Sequence, residues 1–430
     1  MAKYQAYAEY KDSGVQWLGE IPSHWKLTRL KFLAKIRNGQ DYKHVETETG
    51  FPVMGSGGQF TFSSTYMFNR PSVLLGRKGT IDKPLYIDEP FWTVDTMYYT
   101  EVNKDIDVKY FYYLSKTILF NRYSTNTALP SMTQENLNNF EFSVPPSVFE
   151  RNQIRNFLDH ETTKIDHLIE KQHQLIELVK EKRQAVISHA VTKGLNPNVP
   201  MKDSGVEWLG QVPEHWIISR YKYCTSRVIV GIAEAATHAY SDKGVPIIRS
   251  TNIKEDGLNI EGLLYLKRGF AESNESKYLY ENDIVTVRTG YPGISAVVPQ
   301  ELHKSHCFTN LISTPKAYYS SEFLSEYLNS MMGKAYFELY GWGSAQKNIS
   351  VPILQEFPIA YPTLEEQQKI FDFIKIKKKE FNSLIDKAQR SIVLMQERRT
   401  ALISAAVTGK IDVRNWQAPT VAEAQTELSA

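Results

Sequence analysis

The segment Lys11–Trp25 reads KDSGVQWLGEIPSHW, and the segment Lys202–Trp216 reads KDSGVEWLGQVPEHW. When Tyr10–Leu33 is aligned with Met201–Cys224, 13 of 24 positions are identical at an offset of 191 residues. Such a repeat is either two copies of a catalytic motif or two copies of a structural joint. The rest of the sequence has to distinguish these possibilities.

A second repeat indicates that a whole frame is duplicated. Ile169–Thr192 and Ile385–Thr408 are identical at 12 of 24 positions, at an offset of 216 residues. The order is therefore motif, variable region and helix, followed by the same three parts again. Because the second offset exceeds the first, the second variable region is 25 residues longer than the first.

The two helical repeats carry apolar side chains in steps close to seven residues, which is typical of a coiled-coil seam and not of a strand. The seams are predicted at Ile154, Leu158, Ile165, Leu168, Ile176, Val179, Val186 and Ala190, and at Ile370, Ile374, Phe381, Leu384, Ile392, Met395, Leu402 and Ala406. We expect helices over residues 146–194 and 362–412, ending near Gly194 and Gly409. They should pair with each other; the alternative is that each packs on its own domain.

The repeated motif fits a joint better than an active site. Asp12, Ser13 and His24 could belong to a nucleophilic site, but Asp-Ser-Gly is also ordinary turn and cap chemistry. The second copy begins ten residues after Thr192, where the chain must pass from a helix to the next domain. We therefore expect His24 and His215 to be structural hydrogen-bonding groups and not general bases.

The variable regions differ almost completely in sequence, yet one pattern recurs in both. VLLGRKGT (Val73–Thr80) and IVTVRTGY (Ile284–Tyr291) each read as an apolar strand that runs into an arginine and a glycine turn. This pattern aligns Arg77 with Arg288. It predicts that the two regions share a mixed fold of strands and helices.

Composition excludes several classes of protein. The 430 residues suit two or more domains, and 42% hydrophobic with 23% charged residues is typical of a globular protein. The net charge of +2 does not by itself indicate a nucleic-acid partner. Cys224 and Cys307 form neither a disulfide framework nor a zinc motif, and they fit a reducing compartment such as the cytoplasm. No signal peptide and no apolar run long enough to span a membrane is visible.

The order and the sequences of these motifs resemble those of the specificity subunit of type I restriction–modification enzymes. The resemblance covers nearly the whole chain. It rests on the repeated DSGVQWLGEIPSHW motif, the two helices, and PTLEEQQKI (Pro362–Ile370), with a weaker match at PPSVFERNQI (Pro145–Ile154). FPVMGSGGQF, LLGRKGTIDKPLYI and FWTVDTMYY are similar to one class of target-recognition domain, and YLYENDIVTVRTGYPG is similar to another.

The resemblance implies an α+β architecture with a pseudo-two-fold internal repeat. Two mixed α/β target-recognition domains would be separated by two long helices that form an antiparallel coiled coil. The expected division is 1–145 for the first motif and recognition domain, 146–194 for the first helix, 195–361 for the second motif and recognition domain, 362–412 for the second helix, and 413–430 for a disordered tail. Each recognition domain would read one half of a bipartite, asymmetric DNA target, and the coiled coil would set the spacing.

The same resemblance implies that partner subunits carry out the reactions and that this chain is not catalytic. Two modification subunits carrying S-adenosylmethionine would methylate adenine in double-stranded DNA, and restriction subunits carrying ATP and magnesium would join for cleavage. The sequence agrees: the only Pro-Pro pair, Pro145-Pro146, lacks the flanks of a methyltransferase loop, and no GxxxxGK[ST] motif occurs. A non-catalytic tandem scaffold is the alternative, and a nuclease based on Asp105–Lys109 (DIDVK) is a third, weaker one.

Candidate DNA contacts lie in loops that combine glycine with basic or amide side chains. Glycine lets the backbone approach DNA, arginine pairs with guanine, and asparagine or glutamine pairs with adenine. The candidates are Ser56, Gln59, Arg77 and Lys78 in the first region, and Arg249, Thr251, Asn252, Arg288, Tyr291, Gln346, Lys347 and Asn348 in the second. The alternative for each is a solvated turn or a phosphate contact. No metal or cofactor site is expected.

Overall fold

The structure is a computed structural model that describes residues 4–123, 130–232, 236–343 and 346–418. The chain divides into two compact units. The first unit comprises Met1–His173 and Arg390–Ala430, and the second comprises Gln174–Gln389. Each unit therefore contains one motif, one variable region and a half of each long helix.

The strands of the first unit are β1 (Tyr10–Asp12), β2 (Glu20–Pro22), β3 (Lys26–Arg29), β4 (Ala34–Asn38), β5 (Glu46–Thr47), β6 (Phe51–Gly55), β7 (Gly58–Ser63), β8 (Ser72–Gly76), β9 (Leu85–Ile87), β10 (Trp92–Thr93), β11 (Met97–Val102) and β12 (Glu141–Val144). Its short helices are α1 (Val108–Ser115), α2 (Phe120–Tyr123) and α3 (Gln134–Asn139). The long helix α4 (Val148–Lys193) contributes its first part to this unit and its last part to the second.

The strands of the second unit are β13 (Met201–Asp203), β14 (Gln211–Pro213), β15 (Ile217–Arg220), β16 (Thr225–Val230), β17 (Tyr240–Ser241), β18 (Val245–Ile248), β19 (Ile253–Lys254), β20 (Gly257–Leu258), β21 (Leu264–Leu266), β22 (Ile284–Thr286), β23 (Thr289–Gly290), β24 (Ser295–Val297), β25 (His306–Cys307), β26 (Leu311–Pro315), β27 (Lys347–Asn348) and β28 (Pro358–Tyr361). Its short helices are α5 (Tyr221–Cys224), α6 (Arg268–Ser273), α7 (Ser321–Asn329), α8 (Met331–Tyr340) and α9 (Val351–Gln355). The second long helix, α10 (Leu364–Val407), begins in this unit and ends in the first.

The two variable regions have the same sheet topology. In the first, one sheet has the order β4-β11-β8-β9 and another has β10-β6-β7-β5, with β10 parallel to β6. In the second, the corresponding orders are β16-β26-β22-β24 and β25-β18-β21-β17, with β25 parallel to β18. The prediction of a shared mixed fold is thereby confirmed, although the sequences of the two regions have diverged.

Part of the predicted apolar pattern of the two long helices is buried, and part of it is not. In the first unit, Ile154, Leu158 and Ile165 are buried in one core with Leu402 and Ala406. Leu168, predicted in the seam, is 38% exposed. Its neighbour Ile169 packs against the core instead. The seam here advances by four residues rather than three, because an α-helix of 3.6 residues per turn drifts against a seven-residue repeat.

In the second unit, α4 and α10 share a core through Ile187, Ala190, Ile370 and Ile374. Leu384, which corresponds to Leu168 at the offset of 216 residues, is likewise exposed, at 49%. Both halves of the chain therefore leave the same predicted seam position open to solvent.

Residues 413–416, which were expected to belong to a disordered tail, pack on the first unit. Val413 is buried, and the ring of Trp416 packs edge-on against Phe157 at 5.6 Å. The amide of Asp412 also donates to the carbonyl of Gln5 at 2.7 Å. Burial of two apolar side chains keeps this segment on the first unit; residues 419–430 lie outside the described part of the chain.

Within the described part, no helix is long and apolar enough to cross a membrane.

Candidate DNA interface and its supporting joints

The first copy of the repeated motif is a hairpin that carries a buried tryptophan. Strands β1 and β2 pair, and the carboxylate of Asp12 accepts the amide of Gly14 at 2.9 Å, which closes the Asp-Ser-Gly turn. Gly14 has φ 70°, a conformation that glycine adopts without strain. The motif residues Asp12 and Ser13 therefore act in a turn, as the joint interpretation predicts.

Glu150, in the first turn of α4, is the centre of this joint. It is only 3% exposed. Its carboxylate accepts the indole N–H of Trp25 at 2.9 Å and the hydroxyl of Tyr7 at 2.8 Å, and it lies 3.0 Å from His24 Nε2. Burial, reinforced by Glu150, raises the pKa of Tyr7, so this hydroxyl remains a proton donor.

The second copy repeats these contacts in the second unit. The indole of Trp216 donates to Glu366 at 3.1 Å, and His215 Nε2 lies 2.8 Å from the same carboxylate. Glu366 is in the first turn of α10, at the position that corresponds to Glu150. Both histidines are thus hydrogen-bonded to a carboxylate in the first turn of a long helix, as the joint interpretation predicts.

Each motif also receives the end of a long helix. In the first unit, Gly409 lies so close to Pro22 that an added Cβ would approach its ring to 2.4 Å. In the second unit, a Cβ on Gly194 would lie 3.4 Å from the ring of Trp216 and 3.5 Å from Glu366. Both glycines have positive φ, 75° and 76°. Each joint therefore gathers the start of one long helix and the end of the other.

The predicted DNA contacts lie in two groups of loops in each unit. The turn between β6 and β7 holds Ser56, with Gln59 exposed just beyond it. Arg77 and Lys78 follow β8. The segment 93–96 connects both loops: the amide of Val94 donates to Met54 O at 3.2 Å, and Arg77 Nη1 donates to Asp95 O at 3.1 Å. The segment 93–96 therefore contacts both the strand that leads into the β6–β7 turn and the residues that follow β8.

In the second unit, Arg249 and Thr251 occupy the loop that corresponds to the β6–β7 turn, because they lie between the paired strands β18 and β21. Thr251 is exposed. Ser250 donates to Asn310 Oδ1 at 2.8 Å, which attaches this loop to the segment before β26. The same loop is therefore a candidate site in both regions.

Asn252 differs from the other predicted residues of this loop because its side chain is buried. It is 4% exposed, its Oδ1 accepts the amide of Arg249 at 3.0 Å, and its Nδ2 donates to Asn259 O at 3.0 Å. Both ends of the amide bond to the backbone of its own loop, and the side chain is buried, so in this structure it is not presented to a base edge. Its role in this structure is to hold the turn that presents Arg249 and Thr251.

The loop after β22 meets the segment 346–348. Strand β23 pairs with β27 through Thr289 with Asn348 and Gly290 with Lys347, and the amide of Ile349 donates to Arg288 O at 3.0 Å. Two predicted motifs that are more than 50 residues apart thus form one surface. Tyr291 is 82% exposed on it, and Gln346 is exposed as well.

Not every polar side chain on this surface is available. Asn348 Oδ1 accepts the hydroxyl of Thr289, and Lys347 Nζ donates to Glu338 O at 3.1 Å. By contrast, the buried Nε atoms of Arg249 and Arg288 have no hydrogen-bond partner among the described residues. The terminal nitrogen Nη2 of Arg249 donates to Gly262 O at 3.3 Å.

Sequence reasoning missed the exposed aromatic side chains beside these loops. Trp342 is 57% exposed and its backbone pairs with Asn348, and Phe60 is 54% exposed next to Gln59. A tryptophan between two glycines (Gly341 and Gly343) in a polar segment was the available signal. Within the described ranges, no cluster of three or more His, Cys, Asp or Glu side chains could hold a metal ion.

Comparison with known proteins assigns this chain to a family. The model of the type I restriction modification DNA specificity domain matches residues 22–178 and again residues 233–392. The chain belongs to this family. The two matches cover most of the chain, and each contains one variable region and much of the long helix that follows it.

Relatives named as specificity subunits match over most of both chains. The chain is 22% identical to the type I restriction enzyme MjaVIII specificity subunit of Methanocaldococcus jannaschii, over 92% of this chain and 95% of that one. It is 19% identical to the EcoBI specificity subunit of Escherichia coli, over 95% and 91%. These matches confirm the predicted family and its non-catalytic, DNA-recognising class, and they do not favour the scaffold alternative.

Two solved structures show the same mixed fold. A chain from a study of complex assembly and conformational transition of the type I R-M system matches with a TM-score of 0.63 at 15% identity, over 91% of this chain and 99% of that one. The HsdS subunit from Thermoanaerobacter tengcongensis matches with a TM-score of 0.51 at 13% identity, over 91% and 98%. At these identities the likeness concerns the fold alone.

Proposed function

We propose that this chain selects the DNA target of a type I restriction–modification complex, with each variable region reading one half of a bipartite, asymmetric sequence. The observation that carries the proposal is the duplicated DNA specificity domain, in which the same two loops recur on the same sheet topology. Arg77 and Arg288 follow corresponding strands, β8 and β22. Because the loops differ in sequence while the sheets agree, the two domains should read different bases.

We further propose that α4 and α10 form an antiparallel coiled coil that sets the spacing between the half-sites. They contain 46 and 44 residues, which corresponds to roughly 65–70 Å at 1.5 Å per residue. In the first unit Arg399 makes two hydrogen bonds to Asp166, at 2.8 and 3.1 Å. In the second unit Arg183 donates to Asn382 at 2.6 Å. Arg183 corresponds to Arg399, and Asp166 corresponds to Asn382, at the offset of 216 residues. Equivalent positions of the two helices therefore pair in both units, which supports a pseudo-two-fold repeat.

The partners in this proposal are double-stranded DNA, two modification subunits and restriction subunits. The modification subunits would supply S-adenosylmethionine and methylate adenine, and the restriction subunits would use ATP and magnesium. Exposed leucines support docking along the helices, because they occur at corresponding positions: Leu168 with Leu384, and Leu178 with Leu394. Two equivalent surfaces fit two copies of one partner. Apart from residues 413–416, which pack on the first unit, the expected domain division remains part of this proposal.

The test is methylation mapping of DNA from cells that carry this chain with its modification subunits. We expect methylated adenines in one interrupted, asymmetric motif, and no such motif when this chain is omitted. The purified chain alone should transfer no methyl group and should bind DNA weakly, and adding modification subunits should restore both activities. Methyl transfer by the purified chain alone would contradict the proposal.

A further inference from the structure

The loop between β18 and β21 is much longer than its counterpart in the first unit. Strands β6 and β7 are joined by the two-residue turn 56–57, whereas β18 and β21 are joined by residues 249–263. The added residues include a small hairpin formed by β19 and β20, with Glu255 and Asp256 at its turn. The same loop begins with Arg249 and Thr251, the proposed base contacts.

This hairpin is held against both long helices by charged side chains. Asp256 lies 3.5 Å from Arg183 Nη1 on α4 and 3.4 Å from Lys378 Nζ on α10. Lys378 also donates to Glu255 O at 3.0 Å. The carboxylate of Glu255 lies 2.7 Å from Lys334 Nζ.

Two of the cations in this network are well shielded from solvent. The side chain of Lys378 is 15% exposed and that of Arg183 is 20% exposed. Lys378 also lies 2.6 Å from the buried carboxylate of Glu326 on α7. The Lys378–Glu326 pair is shielded on both sides, whereas the Asp256 carboxylate is 48% exposed and its pairs are partly screened by solvent.

A difference between the repeated helices explains why the hairpin can bind here. In the first unit Arg399 is paired with a carboxylate of the other helix, Asp166. The corresponding positions of the second unit are Arg183 and Asn382, so the helix partner is neutral. The carboxylate that Arg183 lacks on the helix is supplied by the recognition domain, through Asp256.

We propose that the hairpin Ile253–Leu258 is a tether, and that Glu255 and Asp256 are positioning residues for reading the second half-site. The tether fixes one end of the loop that carries Arg249 and Thr251, so that this loop is held at a fixed position along the two helices. The proposal rests on the proposed function for its DNA readout, but the tether itself can be measured without DNA.

The structural test uses spin labels on full-length protein with Ile260→Cys and Lys379→Cys, because Cys224 and Cys307 are buried and stay unlabelled. Ile260 is 55% exposed in the loop, and Lys379 is exposed on α10. Adding Glu255→Gln with Asp256→Asn should broaden the label-to-label distance distribution. The control Asp166→Asn, which removes the helix salt bridge of the first unit, should leave it unchanged. An unchanged distribution in the hairpin variant would overturn the tether.

A second variant separates tethering from helix stability. Asn382→Asp gives Arg183 a carboxylate on the helix, as in the first unit. If the hairpin acts as a tether, Asn382→Asp added to the hairpin variant does not restore the narrow distribution. If it does restore it, the hairpin only stabilises the helix pair and the positioning role is wrong.

The functional test compares the methylation rates of substrates mismatched in one half-site, using the complex with modification subunits. We expect the hairpin variant to lose roughly fivefold or more of its discrimination at the second half-site, and none at the first. Equal loss at both half-sites would contradict a local positioning role. Absence of any bipartite methylation by the unmodified complex would contradict the proposed function instead, while the spin-label result would still decide the tether.

Discussion

The indole N–H of Trp25 donates to Glu150 Oε1 at 2.9 Å, a contact between residues 125 positions apart. Trp25 lies in the repeated motif and Glu150 in the first turn of a 46-residue helix. The contact joins the start of the helix to the domain before it. Its counterpart between Trp216 and Glu366 shows that the motif was duplicated together with the helix position to which it binds.

Glu150→Ala should destabilise the protein more than Glu366→Ala. Removing the Glu150 carboxylate leaves Trp25 and Tyr7 with unpaired buried donors, at a cost of about 2–4 kcal/mol. Glu366 has 31% of its side chain exposed, so water can replace part of its contacts and the cost should be smaller. Urea unfolding followed by tryptophan fluorescence measures the difference. Glu150→Gln, which keeps an acceptor oxygen, is the matched control, and an equally large loss in that variant would contradict this account.

Substitutions in the two variable regions should affect different half-sites. Arg288→Ala should weaken recognition of one half-site by about 1–3 kcal/mol, and Arg77→Ala should weaken the other by a similar amount. Methylation rates on singly mismatched targets give the comparison. Arg268→Ala removes the same charge from outside the proposed loops and serves as control. A uniform loss over all sequences would instead identify a phosphate contact.

The length of the helix pair should determine the number of unread bases. Inserting seven residues into the centre of both helices lengthens each by about 10 Å, which corresponds to roughly three base pairs of DNA. We expect the half-sites to stay the same while the spacer grows. Methylation mapping of the variant complex reads the spacer directly. An unchanged spacer would mean that the helices are not the ruler.

A fragment that ends near Pro200 should form a homodimer. It contains one motif, one variable region and one long helix. It lacks the end of α10, after which Gly409 lies close to Pro22. A second copy can supply the equivalent end, at Gly194, and identical halves usually close with two-fold symmetry. With modification subunits, this dimer should methylate an interrupted palindrome built from the first half-site. Solution mass and methylation mapping test the two parts; a folded monomer would contradict the pairing of the seams.

The second unit should lose stability as the pH falls below about 6.5. His306 is buried, and burial lowers its pKa in the folded state, although backbone carbonyls of Ala271 and Lys277 oppose the shift. In the unfolded chain its pKa is about 6.5. Below that pH the unfolded state binds a proton that the folded state does not, so the stability decreases with falling pH. Denaturant midpoints at pH 7.5 and 5.5 should differ less in His306→Gln; an identical difference would exclude His306 as the cause.

Local patterns in the sequence were sufficient to predict the repeated motifs and the long helices of this protein. The repeated motif, the apolar steps of the helices and the positions of Gly194 and Gly409 depend on residues that are close in the chain, and such patterns can be read directly. The strand that precedes Arg77 and the one that precedes Arg288 were likewise visible as apolar runs before a glycine turn. The family resemblance rested on these same features.

Only the tertiary structure decided which distant residues meet. Nothing local to Glu150 predicts that it accepts hydrogen bonds from Trp25 and Tyr7, and nothing in the segment 249–252 shows that both ends of the Asn252 amide are occupied. The tether formed by Asp256 depends on Arg183 and Lys378, which lie 73 and 122 positions away. Such contacts are set by how strands and helices pack, because side chains that share no local period are brought together only when the core closes.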